Sequence, residues 1–170
     1  MSVSSRVRAT PLVVLGFALF GCVSSPETPS YYQNLESSSA QVNAGVAAAM
    51  ISSYRAQKGL STVQVDPALT RIAQLQADGM AQAEDVNAAR KGGLRLSVLT
   101  KDAGQGDIHA VNNVSAGYRR WAEAFSGWRD SKKHNVVMLD PKATRIGIAT
   151  AYAPKSKYKV FWSLVVAEPK

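Results

Sequence analysis

Disulfide chemistry is missing from this chain: Cys22 is the only cysteine among 170 residues, so no internal bridge can form and the fold must rest on its core. Histidine is almost as scarce, with only His109 and His134, which rules out the dense Cys/His sets of structural zinc modules. A membrane-spanning helix needs roughly 20 apolar residues, and the apolar run Leu12 to Phe20 is about half that. There is no Gly-x-Ser-x-Gly nucleophile elbow, no glycine-rich phosphate loop and no cysteine placed as a nucleophile. Acidic residues are few, 12 against 20 Lys and Arg, for a formal charge of +8. That balance suits an anionic partner, or equally a merely soluble basic surface. The clusters Arg119-Arg120, Lys132-Lys133 and Lys155/Lys157/Lys159 are not interleaved with aromatics, however, so no nucleic-acid partner is expected.

The first residues read as targeting. Arg6 and Arg8 precede the apolar run, which ends in Leu19-Phe20-Gly21-Cys22. Leu at −3 and Gly at −1 before a cysteine resemble a bacterial lipoprotein signal, with Phe20 an unusual occupant between them. That resemblance implies that residues 1–21 are removed and that Cys22 becomes a lipidated (palmitate-type) mature N-terminus. Val23 behind the cysteine resembles outer-membrane sorting, which would place the protein in the cell envelope facing the periplasm; the alternative is a secreted protein whose cysteine stands there by chance. Residues 22–39, rich in Ser and Pro without periodicity, predict a flexible tether, and 40–170 a single domain.

Apolar residues make up 46% of the chain, ample for a core. Val42, Val46, Met50, Ile51 and Tyr54 predict a helix over Ala40 to Lys58, stopped by Gly59. Asp66-Pro67 is a strong start signal for a second helix, running to about Ala83 with Leu69, Ile72, Ala73, Ala77 and Met80 buried. Arg90 to Lys101 holds a short helix, and Ile108 to Val114 reads as a strand. A central helix is expected from Arg119 to Lys133, with Trp121, Phe125 and Trp128 on one face as core. Strands follow over Ala143 to Ala153 and Tyr158 to Val166, joined by a hairpin loop at Pro154 to Lys157. The second carries apolar residues on both faces, as a covered strand does. Early helices and late antiparallel strands make an α+β layered domain.

Asn113-Val114, Trp128-x-x-Ser131-x-x-His134 and Asn135 to Leu139 together resemble bacterial members of the CAP superfamily (cysteine-rich secretory proteins, antigen 5 and pathogenesis-related-1 proteins). Arg55 to Leu60 (Arg-x-x-x-Gly-Leu) and Asp66-Pro67-x-Leu69 followed by Ala73 extend the likeness over roughly Val42 to Val166. The resemblance implies a three-layer α-β-α sandwich with an antiparallel sheet. It also implies a cleft that in some members holds a divalent cation on two His and two acids. Here His134 matches one His, Asn112 stands where the family has Glu, Ser131 stands at another acidic position, and Glu84 is a weak substitute near the remaining His. Three or four ligands are needed and at most two are present, so neither metal nor cofactor is expected.

His134 is the principal site residue, an imidazole able to line a cleft, although a helix-terminal His bonded to backbone is the blander account. Asn112, Asn113, Ser131, Trp128 and Glu84 complete the cleft candidates, and His109 reads as a strand-end residue. Ser131 and His134 are three apart and could meet on a helix, but an orienting acid and oxyanion hole have no signature, so Ser131 is read as a turn-former. The expected function is a non-catalytic binding module of the envelope, its ligand a lipid, glycan or protein. Lipid binding enters through the resemblance. A hydrolase or metal-dependent enzyme centred on His134 is the alternative.

Overall fold

Strand β4 (Lys159–Ala167) has a neighbour on each side and is buried along nearly its whole length. The computed structural model of the protein describes residues 28–169. The signal segment 1–21, Cys22 and the start of the tether lie outside the described residues. In chain order the further elements are α1 (Ala44–Ala56), β1 (Gln64–Val65), α2 (Pro67–Ala83), α3 (Leu96–Asp102), β2 (Ala110–Ala116), α4 (Trp121–Asp130), α5 (Lys132–Met138) and β3 (Arg145–Ala153). Two short 3-10 turns, Val86–Arg90 and Gly92–Leu94, bridge α2 to α3. The sheet order is β1-β3-β4-β2, with β2 and β3 antiparallel to β4.

Alternation along β4 divides the core in two. Val160, Trp162, Leu164 and Val166 face α1, α4 and α5, joined by Ala47, Ile51, Trp121, Trp128 and Met138. Val165 and Ala167 face α2, joined by Leu69, Ile72, Ala73 and Ala149. Helices on both faces of the sheet give the α-β-α sandwich that the resemblance implies, within the α+β layering that the sequence pattern predicts.

Local chemistry sets the element boundaries. The Asp66 carboxylate caps α2 by accepting from the Ala68 and Leu69 N–H groups at 2.7 and 3.0 Å, while its second oxygen accepts from Arg145 Nη1 at 2.9 Å. One side chain thus ties the start of α2 to the start of β3. Burial alone would raise the Asp66 pKa; the Leu69 N–H, Arg145 and the Ala68 N–H outweigh it and hold the carboxyl below its usual range. Gly147 lets α2 settle onto β3, since a Cβ there would overlap the Leu69 and Thr70 backbone. Arg55, fully buried, donates to four carbonyls: Ser61 at 2.7 Å, Met138 and Asp140 at 2.9 Å, and Ala143 at 2.8 Å. It anchors the end of α5 and the approach to β3 onto α1.

Four differences from the sequence reading have physical causes. Helix α1 starts at Ala44 instead of Ala40, because the Asn43 side chain accepts from the Val46 N–H and caps it there. The expected helix Arg119 to Lys133 is two helices, broken where Ser131 adopts extended backbone (φ −92°, ψ 115°). The Ser131 carbonyl then accepts from the His134 and Asn135 N–H groups and starts α5, so Val136 to Met138 of the stretch read only as an apolar patch continue that helix and Leu139 caps it. A parallel strand, β1, too short to carry a pattern, pairs with Arg145 and Ile146. Within the expected tether, Leu35 is buried in the core and its N–H donates to the Arg119 carbonyl at 2.9 Å. A single apolar residue among serines gave no periodic signal.

Candidate functional site

Consecutive residues on a strand point to opposite faces, and β2 separates Asn112 from Asn113 accordingly. The Asn112 amide donates to Gln76 Oε1 at 2.9 Å on the α2 side, and the Ser163 hydroxyl donates to the same oxygen at 2.9 Å. Gln76 is fully buried and its own amide donates to the Leu94 carbonyl at 2.9 Å. Asn112 therefore holds the turn after α2 against the sheet. The pattern offered one signal for this network: Gln76 is a polar residue on the otherwise apolar stripe of α2.

Asn113 faces α5 and grips His134 at two points. Its Nδ2 donates to the His134 carbonyl at 2.9 Å, and its Oδ1 lies 2.9 Å from the ring Nδ1. A carbonyl can only accept, so the amide orientation is determined and Oδ1 must receive a proton from Nδ1. Burial first, then the charges of Lys133 and Arg90, lowers the His134 pKa, so the ring is neutral at neutral pH with its lone pair on Nε2. Arg90 had no signature in the sequence. It belongs to the turn after α2, where its guanidinium donates to Asn87 Oδ1 at 3.0 Å.

The other candidates take different places. Trp128 is fully buried, lies 6.4 Å from the His134 ring between centroids, and donates its Nε1–H to the Ser115 hydroxyl at 3.0 Å. With Trp121 and Trp162 it forms a three-ring cluster with centroid separations of 5.7–6.3 Å. Ser131 sits at the α4–α5 break, and among the described residues its hydroxyl makes no hydrogen bond to His134. Glu84 ends α2 in left-handed backbone (φ 49°) and lines a separate groove with Asp78 and Tyr152. His109 pairs with Asp140, Nε2 to Oδ2 at 2.7 Å. His134, Asn113, Trp128 and Ser131 are thus brought to one region, and Asn112 and Glu84 are not.

A divalent cation of the kind held by some family members does not fit this donor set. His134 Nδ1 is engaged, its charged neighbours are cations, the amide at position 112 is tied to Gln76, and Glu84 lies elsewhere. Among the described residues no three His, Cys, Asp or Glu side chains gather as a ligand group.

On the outer side of the tryptophan cluster, α1 and α4 leave a trough of about 320 Å³ lined by Met50, Ser53, Tyr54, Gln57, Phe125 and Arg129. Tyr54 and Phe125 meet edge to face with centroids 5.9 Å apart, and the Tyr54 hydroxyl donates to Asn135 Oδ1 at 3.1 Å. The trough's lining joins the apolar surface of Met50, Tyr54 and Phe125 to the polar Ser53 and Gln57 and to Arg129, whose Nε donates to Asp130 Oδ1 at 2.9 Å.

The model of the cysteine-rich secretory protein family, CAP, matches residues 48–166. No curated protein sequence matches the chain. Among solved structures, an extracellular SCP-domain protein from Bacillus anthracis superposes with a TM-score of 0.60 at 16% identity, over 74% of this chain and 40% of that one. An outer surface protein from Borrelia burgdorferi gives 0.58 at 13% identity, over 74% of this chain and 92% of that one. A cysteine-rich secretory protein from Staphylococcus aureus gives 0.57 at 16%, over 73% and 37%. The chain thus spans about two-fifths of the Bacillus and Staphylococcus proteins, and at these identities the likeness is one of fold. With its family match covering most of the sandwich, the chain belongs to the CAP family of cysteine-rich secretory proteins.

Proposed function

We propose that this CAP protein is exported, anchored at the cell envelope through a lipidated Cys22, and acts as a non-catalytic binding module that holds a lipid acyl chain between α1 and α4. The trough carries this reading. Met50, Tyr54 and Phe125 offer aromatic and thioether surface to an alkyl chain, and Gln57 and Arg129 line the same trough and offer polar partners to a carboxylate or headgroup. The Leu19 to Cys22 motif supports the anchor, and no helix among the described residues is long and apolar enough to cross a membrane. Glycan and protein ligands are weaker readings, because neither draws on the thioether and ring surface of Met50, Tyr54 and Phe125 as an alkyl chain does.

Titration of the full-length protein with a fluorescent polyene fatty acid tests the ligand class. Saturable binding that is lost in Phe125→Asp and Met50→Asp but kept in His134→Gln is expected. Binding that survives both trough variants, or none at all, contradicts it.

A second reading, a hydrolase using His134, is favoured by one observation. His134 is neutral and half-buried, and Nε2 accepts no hydrogen bond among the described residues. Such a nitrogen is chemically able to take a proton. Against it stand the unaligned Ser131 and, among the described residues, the absence of any acid on the ring. Ester hydrolysis abolished by both Ser131→Ala and His134→Gln would establish it in place of the binding role.

A further inference from the structure

Away from the α1–α4 trough and from His134, the outer edge of β3 is only partly covered. Strand β1 pairs with Arg145 and Ile146 alone, and beyond them β3 has no strand partner on that side among the described residues. Two hydrogen bonds show which backbone groups face outwards. The Asp66 N–H donates to the Ile146 carbonyl at 2.8 Å, and Gln74 Nε2 donates to the Thr150 carbonyl at 3.2 Å. Alternation then turns the N–H and carbonyl of Tyr152 outwards as well. Among the described residues, neither the Thr150 N–H, the Tyr152 N–H nor the Tyr152 carbonyl has a hydrogen-bond partner. Thr150 is itself only 5% exposed and lines the groove on this edge. Pro154, which has no N–H, closes the edge.

This edge floors a groove of about 490 Å³ between α2 and the segment Ser37 to Gln41. On the α2 side stand Asp78 and Glu84, both exposed, and no Lys or Arg among the described residues lies within ion-pair distance of either. Among the described residues Lys155 is the one basic residue lining the groove, so in a chain with a large basic excess the two unpaired carboxylates still give it a local inversion of charge. A sugar would find hydroxyl partners here but has no use for donors and acceptors at strand spacing. An extended backbone does.

We propose that the β3 edge from Thr150 to Ala153 takes up an extended segment of a partner polypeptide as an added strand, in line with β1, with a Lys or Arg side chain of that segment set against Asp78 and Glu84. Two backbone donors and one acceptor supply the pairing, and the carboxylates supply selection for a basic residue. Pro154 limits the added strand to a few residues, which keeps the edge from templating open-ended association.

Random linear peptides of about twelve residues, displayed on phage and selected on the full-length protein, test this. The expected result is a family of binders with Lys or Arg at one fixed position. The strongest of them, made as a free peptide, should slow hydrogen exchange at the Thr150 and Tyr152 amides. It should also bind about tenfold more weakly to Asp78→Lys/Glu84→Lys, whose two exposed substitutions leave the fold intact by circular dichroism. The proposal is overturned if no peptide is enriched. It is equally overturned if binders leave those amides unprotected, if they are indifferent to the charge reversal, or if soluble oligosaccharides occupy the groove where peptides do not.

Discussion

Asn113 on β2 clamps His134 on α5 through backbone and ring at once, each contact at 2.9 Å. The clamp fixes the Nδ1–H tautomer and leaves Nε2 as the ring's one lone pair. An orienting group that is an amide, in place of a carboxylate, gives no charge to stabilise an imidazolium. Together with Lys133 and Arg90 nearby, this makes the region hostile both to a metal ion and to a protonated histidine.

Replacing that amide with an acid should reverse the electrostatics. In Asn113→Asp a carboxylate would face Nδ1, and the His134 pKa should rise by about one unit or more. An NMR titration of the imidazole, with His109→Gln to assign it, reads the shift. An unchanged midpoint would mean that Asn113 does not contact the ring.

The depressed His134 pKa also sets a sign for stability. Protons bind more readily to the unfolded chain, whose histidine titrates near pH 6.5. The contribution is therefore present above about pH 6.5 and is lost as the pH falls through the lower folded value. Urea midpoints of the wild type should decline over that interval, and those of His134→Gln should decline less. Parallel curves would remove His134 from the pH dependence.

Arg55 gives the sharpest stability test. Arg55→Met keeps most of the apolar stem but strands four carbonyls that the guanidinium now serves. A loss of about 3–5 kcal/mol in urea unfolding is expected, with Arg55→Lys recovering only part of it because an ammonium lacks the planar fork. A change below about 1 kcal/mol would show that water replaces those bonds freely.

Gly147→Ala should destabilise by roughly 3 kcal/mol or more, at or beyond the usual range for overpacking, because the added methyl meets helix backbone and not a movable side chain. The mirror control is Gly93→Ala, where nothing lies within contact range of the new Cβ, and which should fold with near-native thermal stability.

Much of the sandwich was legible because its signals are local or periodic. Asp66-Pro67 announces α2, and alternation along Val160 to Val166 announces a strand covered on both faces. The break at Ser131 was not legible, since the aromatic spacing of Trp121, Phe125 and Trp128 ends just before it and no Gly or Pro marks it. The site was read only in part. A Trp-x-x-Ser-x-x-His pattern could place His134 near Trp128, but Asn112 and Asn113 are both cleft candidates by sequence, when strand geometry sends them to opposite layers. Arg90, the β3 edge groove and the trough arise from contacts between distant segments, which no single stretch of sequence encodes.

The binding-module reading is tested most directly by native mass spectrometry of the protein purified gently from its exported form. The account predicts a non-covalent adduct of lipid mass that is lost on denaturation and absent from Phe125→Asp. Bare protein under the same conditions, or an adduct indifferent to Phe125 that disappears in His134→Gln, would contradict it and move the ligand to the histidine.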